Sequence, residues 1–479
     1  MKRLAIFFGL ALLALGPLGV SSAARLPLAG DLDPTFGSGG VVTQSPDRSI
    51  GAVAVQPDGK IVVAGSSPFA LARYLPDGSL DPSFGAGGHV ETDAGAGSVR
   101  ALALQPDGKI VVAGSSPYGS PNRFTLARYD SSGSLDTTFG TDGITTTVVP
   151  TSLDASWTPW GAGVAALDVL PDGKVLAAGS ARWHAGQYEE EGEFVLARYT
   201  PAGSLDPTFG DGGIVETGGD GGLGRDADLG GMVVLPDGKI VATGTTYGGH
   251  PYYDRKIALA GYEPDGSVDF TFDPALTYGR LSGGPSTLQH GKIVVAGSIQ
   301  DYKKTFPVVA RYRANGLIDT TFGKHGYSEV KRAQFAPDAV LTQNDGKILI
   351  AGHSNSGGTV LRLLPNGRLD PSFGGRGIVS FDPGTSSLAL QQDGKILVGG
   401  RALDRLLGGN NCVVPDLRGQ TVGKATANLV KSYCRRGSIA RRFSSKVAAG
   451  RVLSTAPAPG ARLPGGAKIH LVVSKGKVR

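Results

Sequence analysis

The sequence has few of the residues on which common enzyme classes depend. It contains two cysteines and seven histidines in 479 residues, and both cysteines follow residue 411, which excludes thiol chemistry before that point. No H-x-x-x-H or H-E-x-x-H pair, G-x-S-x-G segment or phosphate-binding loop occurs. We therefore predict that the protein is not an enzyme and holds no metal or cofactor. A catalytic pair assembled from distant segments stays open, because such residues need only be close in space.

Long apolar runs are also scarce, with one at the N-terminus. Lys2 and Arg3 precede the apolar run Leu4–Val20, and Ser22-Ala23-Ala24 follows with small residues. This pattern predicts a removed signal peptide over residues 1–24, with an uncleaved anchor as the alternative. No cysteine follows the run, which argues against a lipoprotein, and no second apolar run predicts a transmembrane segment after cleavage. The mature chain is thus predicted to be secreted, either extracellular or associated with the cell wall.

Acidic residues are nearly absent from the C-terminal part. From Cys412 onward, 14 Lys and Arg residues accompany one acidic residue, Asp416, so this part carries +13 and the part before it −7. Such a division predicts different partners for the two ends of the chain.

A repeated hairpin dominates the part between these ends. Ala52–Gly65 (AVAVQPDGKIVVAG) recurs almost unchanged as Ala101–Gly114 (ALALQPDGKIVVAG). Pro restricts φ and Gly accepts a positive φ, so P-D-G-K predicts a tight turn. The turn glycine occurs seven times, as Gly59, Gly108, Gly173, Gly238, Gly291, Gly346 and Gly394.

A second segment, L-A-R-Y followed by S-L-D-x-x-F-G, completes most repeats. Its phenylalanines are Phe36, Phe84, Phe139, Phe209, Phe322 and Phe373, with a drifted copy at Phe272. Each repeat of roughly 50 residues therefore holds about four strands, which is the size of a propeller blade. We expect the arginines of L-A-R-Y, such as Arg73, Arg128 and Arg198, to brace neighbouring strands or blades.

The ends of the repeat region favour a closed ring. The first L-D-x-x-F element precedes every P-D-G-K turn, and the last hairpin lacks such an element. The N-terminal strand would thus complete the seventh blade and remove the exposed sheet edges. The predicted fold is an all-β seven-bladed β-propeller closed by the N-terminal strand over residues 28–407. An open β-solenoid is the alternative, and it would need capping units.

The repeat resembles the delta-60 repeat family of bacterial β-propellers. The resemblance rests on Pro57–Gly65 (PDGKIVVAG), Leu71–Tyr74 (LARY) and Ser79–Gly85 (SLDPSFG). It implies the propeller fold and no particular activity.

One face of such a propeller carries unusual loops. The P-D-G-K and P-D-G-S turns lie on one face of the propeller. The longer connections of variable length therefore lie on the opposite face. The aromatic residues cluster in these longer connections. Aromatic surface beside polar groups suits a glycan or peptide. The alternative is that these loops bury their own aromatics. The candidate ligand-binding residues are Trp157, Trp160, Trp183, His184, Tyr188, Glu190, Tyr247, His250, Tyr252 and Tyr253.

A linker at residues 408–411 leads to a basic domain over 412–479. Thr421 is a plausible helix cap, with Ala425 and Leu429 on one helical face, and Lys468–Ser474 (KIHLVVS) reads as a strand. An even cysteine pair within one exported domain predicts the disulfide Cys412–Cys434. A metal site is the alternative for these two residues, but it lacks further ligands.

This small α+β domain resembles PASTA modules. The resemblance rests on Val414-Pro415-x-Leu417-x-Gly419 and Pro457-x-Pro459-Gly460. Modules of this family occur on penicillin-binding proteins and transmembrane kinases, which implies peptidoglycan binding, although this chain has one copy and neither of those partners.

The predicted function is a wall-associated binding or scaffold protein. The propeller presents a ligand face, and the basic domain tethers it to peptidoglycan or another anionic wall polymer; nucleic acid is not an expected partner. A secreted carbohydrate-active enzyme with its site at the propeller mouth is one alternative, and a purely structural surface protein is another. For the basic residues, an ordinary solvated face is the alternative. The candidate wall contacts are Arg435, Arg436, Arg441, Arg442 and Lys446.

Overall fold

The computed structural model describes most of the chain. The described residues are 29–43, 49–65, 68–95, 97, 99–115, 122–150, 158–185, 189–218, 226–248, 254–272, 281–301, 304–354, 357–374, 376–381, 384–408, 412–432, 434–463 and 467–477. The predicted signal peptide, residues 1–24, lies outside these ranges and stays a prediction.

The repeat region has an all-β, propeller-like fold of antiparallel sheets. We number its repeat units 1 to 7 in the order of their first hairpins; strand β1 (Val41–Thr43) precedes them. Unit 1 has β2 (Ile50–Val55), β3 (Ile61–Gly65), β4 (Phe69–Tyr74) and β5 (His89–Thr92). Unit 2 has β6 (Val99–Leu104), β7 (Ile110–Ser115), β8 (Arg123–Tyr129) and β9 (Ile144–Val148). Unit 3 has β10 (Thr158–Val169), β11 (Val175–Ala185), β12 (Glu189–Tyr199) and β13 (Ile214–Thr217).

The later units follow the same order with local changes. Unit 4 has β14 (Asp226–Val234), β15 (Ile240–Gly248) and β16 (Asp254–Tyr262). Unit 5 has β17 (Leu281–Ser282), β18 (Ser286–Gln289), β19 (Lys292–Asp301), β20 (Lys304–Tyr312) and β21 (Tyr327–Glu329). Unit 6 has β22 (Ala336–Thr342), β23 (Ile348–Ser354), β24 (Gly357–Leu363) and β25 (Ile378–Phe381). Unit 7 has β26 (Thr385–Leu390), β27 (Ile396–Gly400) and β28 (Ala402–Leu406).

The first strands of the units, which we call the inner strands, contact one another in sequence. They are β2, β6, β10, β14, β18, β22 and β26, and β26 also contacts β2. The N-terminal strand β1 pairs antiparallel with β28, opposing Val41 to Asp404. The N-terminal segment therefore supplies an outer strand to the sheet of unit 7.

The hairpin turns form as the sequence predicts. In unit 1, Gln56 N donates to Lys60 O at 2.8 Å, and Gly59 has a φ of 89°. The turns at Gly346 and Gly394, which lack proline, keep a positive φ at glycine. In unit 5, His290 and Gly291 both have positive φ, so the turn has the two-residue type I′ geometry. Glycine, more than proline, is thus what the turn requires.

The L-D-x-x-F element forms a corner between the third and fourth strands. In unit 1, Asp81 Oδ1 accepts hydrogen bonds from Ser83 N at 3.1 Å and Ser83 Oγ at 2.7 Å. Phe84 is fully buried and packs with Leu71 of its own unit and Val112 of unit 2. The element therefore connects two adjacent sheets through a shared core.

An arginine braces most pairs of neighbouring units. Arg73 Nε donates to Asp81 Oδ2 at 2.7 Å, and its Nη1 donates to Ser131 O in unit 2. Its guanidinium carbon lies 4.6 Å from the centre of the Phe84 ring. The same arrangement recurs at Arg128, Arg198, Arg311 and Arg362. Arg405 differs in pairing with Asp33 through Nη2, while it keeps the contacts to the ring and to the next unit. The predicted bracing role of these arginines is confirmed.

Unit 4 uses a different solution. Gly261 stands where the other units have arginine, and a Cβ at this glycine would overlap the Phe272 ring. The ring therefore lies where other units place the guanidinium. Lys239 Nζ donates to Asp269 Oδ2 and Glu263 Oε1, each at 2.8 Å. The equivalent lysine pairs with the corner aspartate in other units too, as Lys60 does with Asp81, so in unit 4 this lysine acts without the arginine.

The C-terminal domain contains the one helix of the described chain. It has β29 (Cys412–Val413), α1 (Val422–Lys431), β30 (Arg435–Arg442), β31 (Val452–Ala456), β32 (Arg462–Leu463) and β33 (Lys468–Ser474). Three strands form a sheet in the order β30–β33–β31, so β30 is an edge strand. Lys424 N donates to Thr421 Oγ1 at 3.4 Å, as expected of a helix cap.

The core of this domain is small and holds the predicted disulfide. Cys412 and Cys434 are bonded to each other. Both pack with Leu417, Leu429 and Leu471 in one buried cluster. The disulfide prediction is confirmed. The edge strand β30 was not foreseen, because its sequence RRGSIARR lacks the alternation typical of a half-buried strand.

Candidate functional site

Units 3 and 4 extend all of their first three strands, whereas unit 5 extends only β19 and β20, which have 10 and 9 residues. Strands β10, β11 and β12 have 12, 11 and 11 residues, and β15 and β16 have 9 each. The pairing of β11 with β12 continues to Ala185 opposite Glu189. The expectation that the candidates lie in loops was therefore wrong for the described ones, which are Trp160, Trp183, His184, Glu190 and Tyr247. These segments remain strands because the antiparallel pairings of β10 with β11, β11 with β12 and β15 with β16 continue through them.

The extensions contain the described members of the predicted ligand-binding set. Trp160 lies in β10 and Glu190 in β12. Trp183 and His184 lie in β11, and Tyr247 lies in β15. The remaining predicted residues, Trp157, Tyr188, His250, Tyr252 and Tyr253, lie outside the described ranges.

Trp183 is a core residue in this structure. Its side chain is 1% exposed and packs with Phe124, Val149 and Ala181. A ligand needs an accessible aromatic face for stacking. Trp183 therefore stabilises the contact between units 2 and 3 and offers no face to a ligand in this structure.

An ion-pair network joins the extensions of units 3 and 4. Arg182 Nε donates to Asp228 Oδ1 at 3.0 Å, and Arg182 Nη2 donates to Asp228 Oδ2. Tyr247 Oη donates to the same Oδ2 at 3.2 Å, and Arg255 lies 5.4 Å from the centre of the Tyr247 ring. Burial and the Asp228 charge raise the pKa of Tyr247 to about 12, so this phenol is a neutral donor. The network holds the two extensions in a fixed relation.

Two carboxyl groups share one face of the unit 3 sheet. Glu216 opposes Val195 across the β12–β13 pair, and Glu193 lies two residues from Val195 on β12. Burial, followed by the charges of Glu193 and Asp211, raises the pKa of Glu216 to about 7. Glu216 Oε1 is buried and accepts no hydrogen bond from the described residues. This carboxyl group is therefore partly protonated near neutral pH.

We expect Glu216→Gln to stabilise the protein at about pH 8 by roughly 1–2 kcal/mol, after allowance for solvent screening. Because the folded-state pKa is raised from 4.5 to about 7, the native protein binds the proton more tightly. The stabilisation from the protonated group is thus complete below about pH 4 and is lost as the pH rises through 7. Urea unfolding of the variant should show a smaller loss of stability over this range. An unchanged pH profile would contradict the assignment, and Glu329→Gln, at an exposed position, is the control.

The predicted wall contacts are exposed. Arg436, Arg441 and Arg442 lie on β30, and Lys446 follows it. Arg435 is 59% exposed at its side chain, and its Nη2 donates to Asp393 Oδ2 in unit 7 at 2.9 Å. Ile439 and Phe443 on the same segment are 37% and 56% exposed. The edge strand thus presents cations and apolar side chains together.

Metal-ligand clusters and long apolar helices are both missing from the described part of the chain. Within the described ranges, no group of three or more His, Cys, Asp or Glu side chains is placed to hold a metal ion. The helix of the C-terminal domain is too short to cross a membrane, and the described residues contain no longer apolar helix.

Family models match both parts of the chain. A model described as a β-propeller domain of unknown function (DUF5122) matches residues 56–84, 105–139, 170–209, 291–322 and 343–373. A PASTA domain model matches residues 413–475. The chain carries DUF5122 β-propeller repeats and a C-terminal PASTA domain. The DUF5122 matches end at the corner phenylalanines, for example Phe84 and Phe139, and so contain five of the six bracing arginines, all but Arg405.

Several solved structures match the chain at low similarity. Virginiamycin B lyase from Staphylococcus aureus has a TM-score of 0.46 and 11% identity, over 76% of this chain and 97% of that chain. The polysaccharide lyase Uly1 has a TM-score of 0.42 and 11% identity, over 81% and 93%. Drosophila Plexin A in complex with Semaphorin 1b has a TM-score of 0.40 and 10% identity, over 79% and 88%. At this similarity none of them assigns an activity or partner to the chain.

Proposed function

We propose that the protein is secreted and retained at the cell envelope, where its PASTA domain binds peptidoglycan or another anionic wall polymer. Its DUF5122 repeats form a closed seven-bladed propeller that presents a ligand face for a glycan or peptide. The protein acts as a binding or scaffold protein in this proposal. The observation that carries it is the exposed basic edge strand Arg435–Arg442 within a domain of +13 net charge.

Three contacts support the closed ring. Strand β1 pairs with β28, and the inner strands β2 and β26 contact each other. Arg405 of unit 7 also donates to Pro76 O of unit 1. In a ring of this kind each unit keeps only its short outer strand as a sheet edge.

The ligand face lies at the end of the propeller opposite the P-D-G-K turns. The extended strands of units 3 and 4 project there, and they contain His184 and Tyr247. The remaining candidates directly precede or follow these strands in the sequence, so they stay candidates for the same face. They are Trp157, Tyr188, His250, Tyr252 and Tyr253.

The basic strand suits an anionic polymer. Exposed cations attract such a polymer over about 8 Å at physiological salt. Neutralising four of them should reduce binding to purified wall by on the order of tenfold, and binding by the unaltered protein should weaken as salt is added. The measurement is co-sedimentation of the full chain with purified wall at low and high salt. The substituted residues, each changed to Gln, are Arg436, Arg441, Arg442 and Lys446.

A matched control changes four exposed cations of the propeller to Gln. These are Arg313, Lys324, Lys331 and Arg332. This variant should sediment with wall like the unaltered protein, whereas a chain truncated after Leu407 should not. Equal wall binding by all forms, or binding that is independent of salt, would refute the tether.

One observation favours a second candidate, a secreted carbohydrate-active enzyme. Glu216, with its pKa raised to about 7, has the protonation behaviour of a general acid. Product release from a wall polysaccharide that is lost in Glu216→Gln would favour this candidate over a binding protein.

A further inference from the structure

The aspartate in the first hairpin turn of unit 7 is covered, whereas its counterparts in units 1 to 3 are exposed. The side chains of Asp58, Asp107 and Asp172 are 56%, 55% and 54% exposed, and that of Asp393 is 7% exposed. The four turns are alike, since each aspartate accepts a hydrogen bond from the backbone N of the lysine two residues later, at 3.0–3.2 Å. Asp393 is therefore covered by residues from outside its own turn.

An arginine of the PASTA domain contacts Asp393. Arg435 Nη2 donates to Asp393 Oδ2 at 2.9 Å, and the Arg435 side chain is 59% exposed. Lys395 Nζ lies 3.5 Å from the same oxygen. The ion pair thus joins the first residue of the basic strand β30 to the turn of unit 7, with its carboxylate buried and its guanidinium partly in solvent.

The chain leaves the propeller beside this pair. Gly408 O accepts a hydrogen bond from Nη1 of Arg362, which is fully buried. A Cβ on Gly408 would overlap the carbonyl oxygen of Gly394, the residue after Asp393. The start of the linker is therefore packed directly against the turn of unit 7.

The covalent structure keeps Arg435 near Asp393. Three residues separate Gly408 from Cys412, so the two lie at most about 14 Å apart. Cys412 is bonded to Cys434, with 4.7 Å between their Cα atoms, and Arg435 is the next residue. A short tether of this kind gives Arg435 a high effective concentration at Asp393, so the two groups meet again readily after they separate.

A cleft of about 430 Å³ adjoins the pair. Its lining includes Arg435 and Asp393 together with Asp58 and Asp77 from the turns of unit 1. Hydrogen bonds from Ser79 lower the pKa of Asp77, so this carboxyl group is charged at neutral pH. A polyanion that enters the cleft meets these negative charges. Arg435 is therefore less accessible to such a polymer while the PASTA domain is docked.

We propose that the propeller restrains the PASTA domain through the Arg435–Asp393 pair and thereby weakens its binding to anionic wall polymer. Bound polymer takes the Arg435 guanidinium from Asp393 and frees the domain to move on its short linker. Lys395 remains as a counter-ion, so the release leaves no unpaired buried charge. The pair can open because its arginine is partly solvated. This inference rests on the proposed function, because it describes the regulation of the wall tether.

Replacing Asp393 with Asn tests the restraint in the full chain. The amide keeps an acceptor for Lys395 N, so the turn is preserved, but the charge that holds Arg435 is lost. The variant should bind purified wall about two- to fivefold more tightly than the unaltered protein, which is the range expected for a solvated ion pair. Co-sedimentation over a series of wall concentrations measures this gain, and the gain should shrink as salt is added.

The repeat supplies a matched control. Asp107 of unit 2 lies 3.2 Å from Lys109 N and 3.5 Å from Lys109 Nζ, the same distances that join Asp393 to Lys395. Asp107→Asn therefore makes the same change of charge in the same kind of turn, and it should bind wall like the unaltered protein. Asp393→Asn should add nothing in an Arg435→Gln background, because the pair is already absent there.

Nitrogen-15 relaxation of the full chain gives a second readout that needs no wall. In the unaltered protein the amides of α1 should tumble with the propeller. Their rotational correlation time should shorten in Asp393→Asn and stay unchanged in Asp107→Asn. This measurement reports release of the domain directly.

Three results would overturn the restraint. They are equal wall binding by Asp393→Asn and the unaltered protein, an equal gain in Asp107→Asn or in the Arg435→Gln background, and an unchanged correlation time in Asp393→Asn. If no form sediments with wall, the tether fails and the restraint on it fails too. If the unaltered protein sediments and Asp393→Asn gains nothing, the restraint alone fails.

Discussion

Replacing Arg405 with Met should lower the free energy of unfolding of the propeller by about 3 kcal/mol. The Arg405 side chain is 4% exposed, and its Nη2 lies 2.9 Å from Asp33 Oδ2. It also stacks on Phe36, with the guanidinium carbon 4.3 Å from the ring centre. Met fills most of the volume but leaves the buried Asp33 with Lys395, 2.8 Å away, as its counter-ion. A buried charge that loses a partner is costly because water cannot replace that partner.

The same substitution inside the repeat array gives the comparison. Arg362 is fully buried and paired with Asp370, whose second cation, Lys347, is 3.8 Å away. Arg362→Met should therefore cost somewhat more, about 4 kcal/mol. Arg368→Met, an exposed change in the same unit, should stay within about 0.5 kcal/mol of the unaltered protein. Denaturant unfolding followed by circular dichroism measures all three.

The comparison tests ring closure because Arg405 joins unit 7 to the N-terminal segment and to unit 1. If Arg405→Met costs no more than Arg368→Met while Arg362→Met costs several kcal/mol, the first and last units do not meet in solution.

A pH series adds a second test. Burial raises the pKa of Asp33, but Lys395, Thr35 and Arg405 together lower it to about 2. The stabilisation from the ion pair is therefore present above about pH 4 and lost as the pH falls towards 2, so the cost of Arg405→Met should shrink over that range.

Removal of the disulfide should destabilise the PASTA domain by about 3 kcal/mol and leave the propeller unaffected. Cys412 and Cys434 are buried and tie β29 to the residue that precedes β30. A domain with so small a core depends strongly on a cross-link that restricts its unfolded chain. The double variant Cys412→Ala, Cys434→Ala avoids placing a polar group at these buried positions.

Digestion with trypsin measures the loss of stability of the PASTA domain, since trypsin cleaves after Lys and Arg and the domain contains 14 of them. Cleavage within residues 412–479 should accelerate on the order of 100-fold in the double variant, because cleavage follows the population of the open form. The propeller fragment should stay resistant, with the chain truncated after Leu407 as its reference. A double variant that resists trypsin as well as the unaltered protein would show that the disulfide contributes little.

Local chemistry explains what the sequence predicted. The sequence predicted the turn glycines and the alternation of the strands because these features depend on residues that are close in the chain. It predicted the Cys412–Cys434 bond because the chain has no other cysteine. The spacing between Arg73 and Asp81 repeats with the hairpins, and this made the bracing arginines visible. The exposed basic residues near Arg435 were visible as charge, but the strand that carries them lacks any apolar periodicity.

The sequence by itself determined the repeat, its hairpin turns, the helix cap and the basic terminal domain, because the backbone preferences of Gly, Pro and Thr act over a few residues. Only the tertiary structure decided that Trp183 is buried between two units and that the expected loops of units 3 and 4 continue as strands. Those outcomes depend on which sheets pack together. Contacts between residues of different units have no local signal in the sequence.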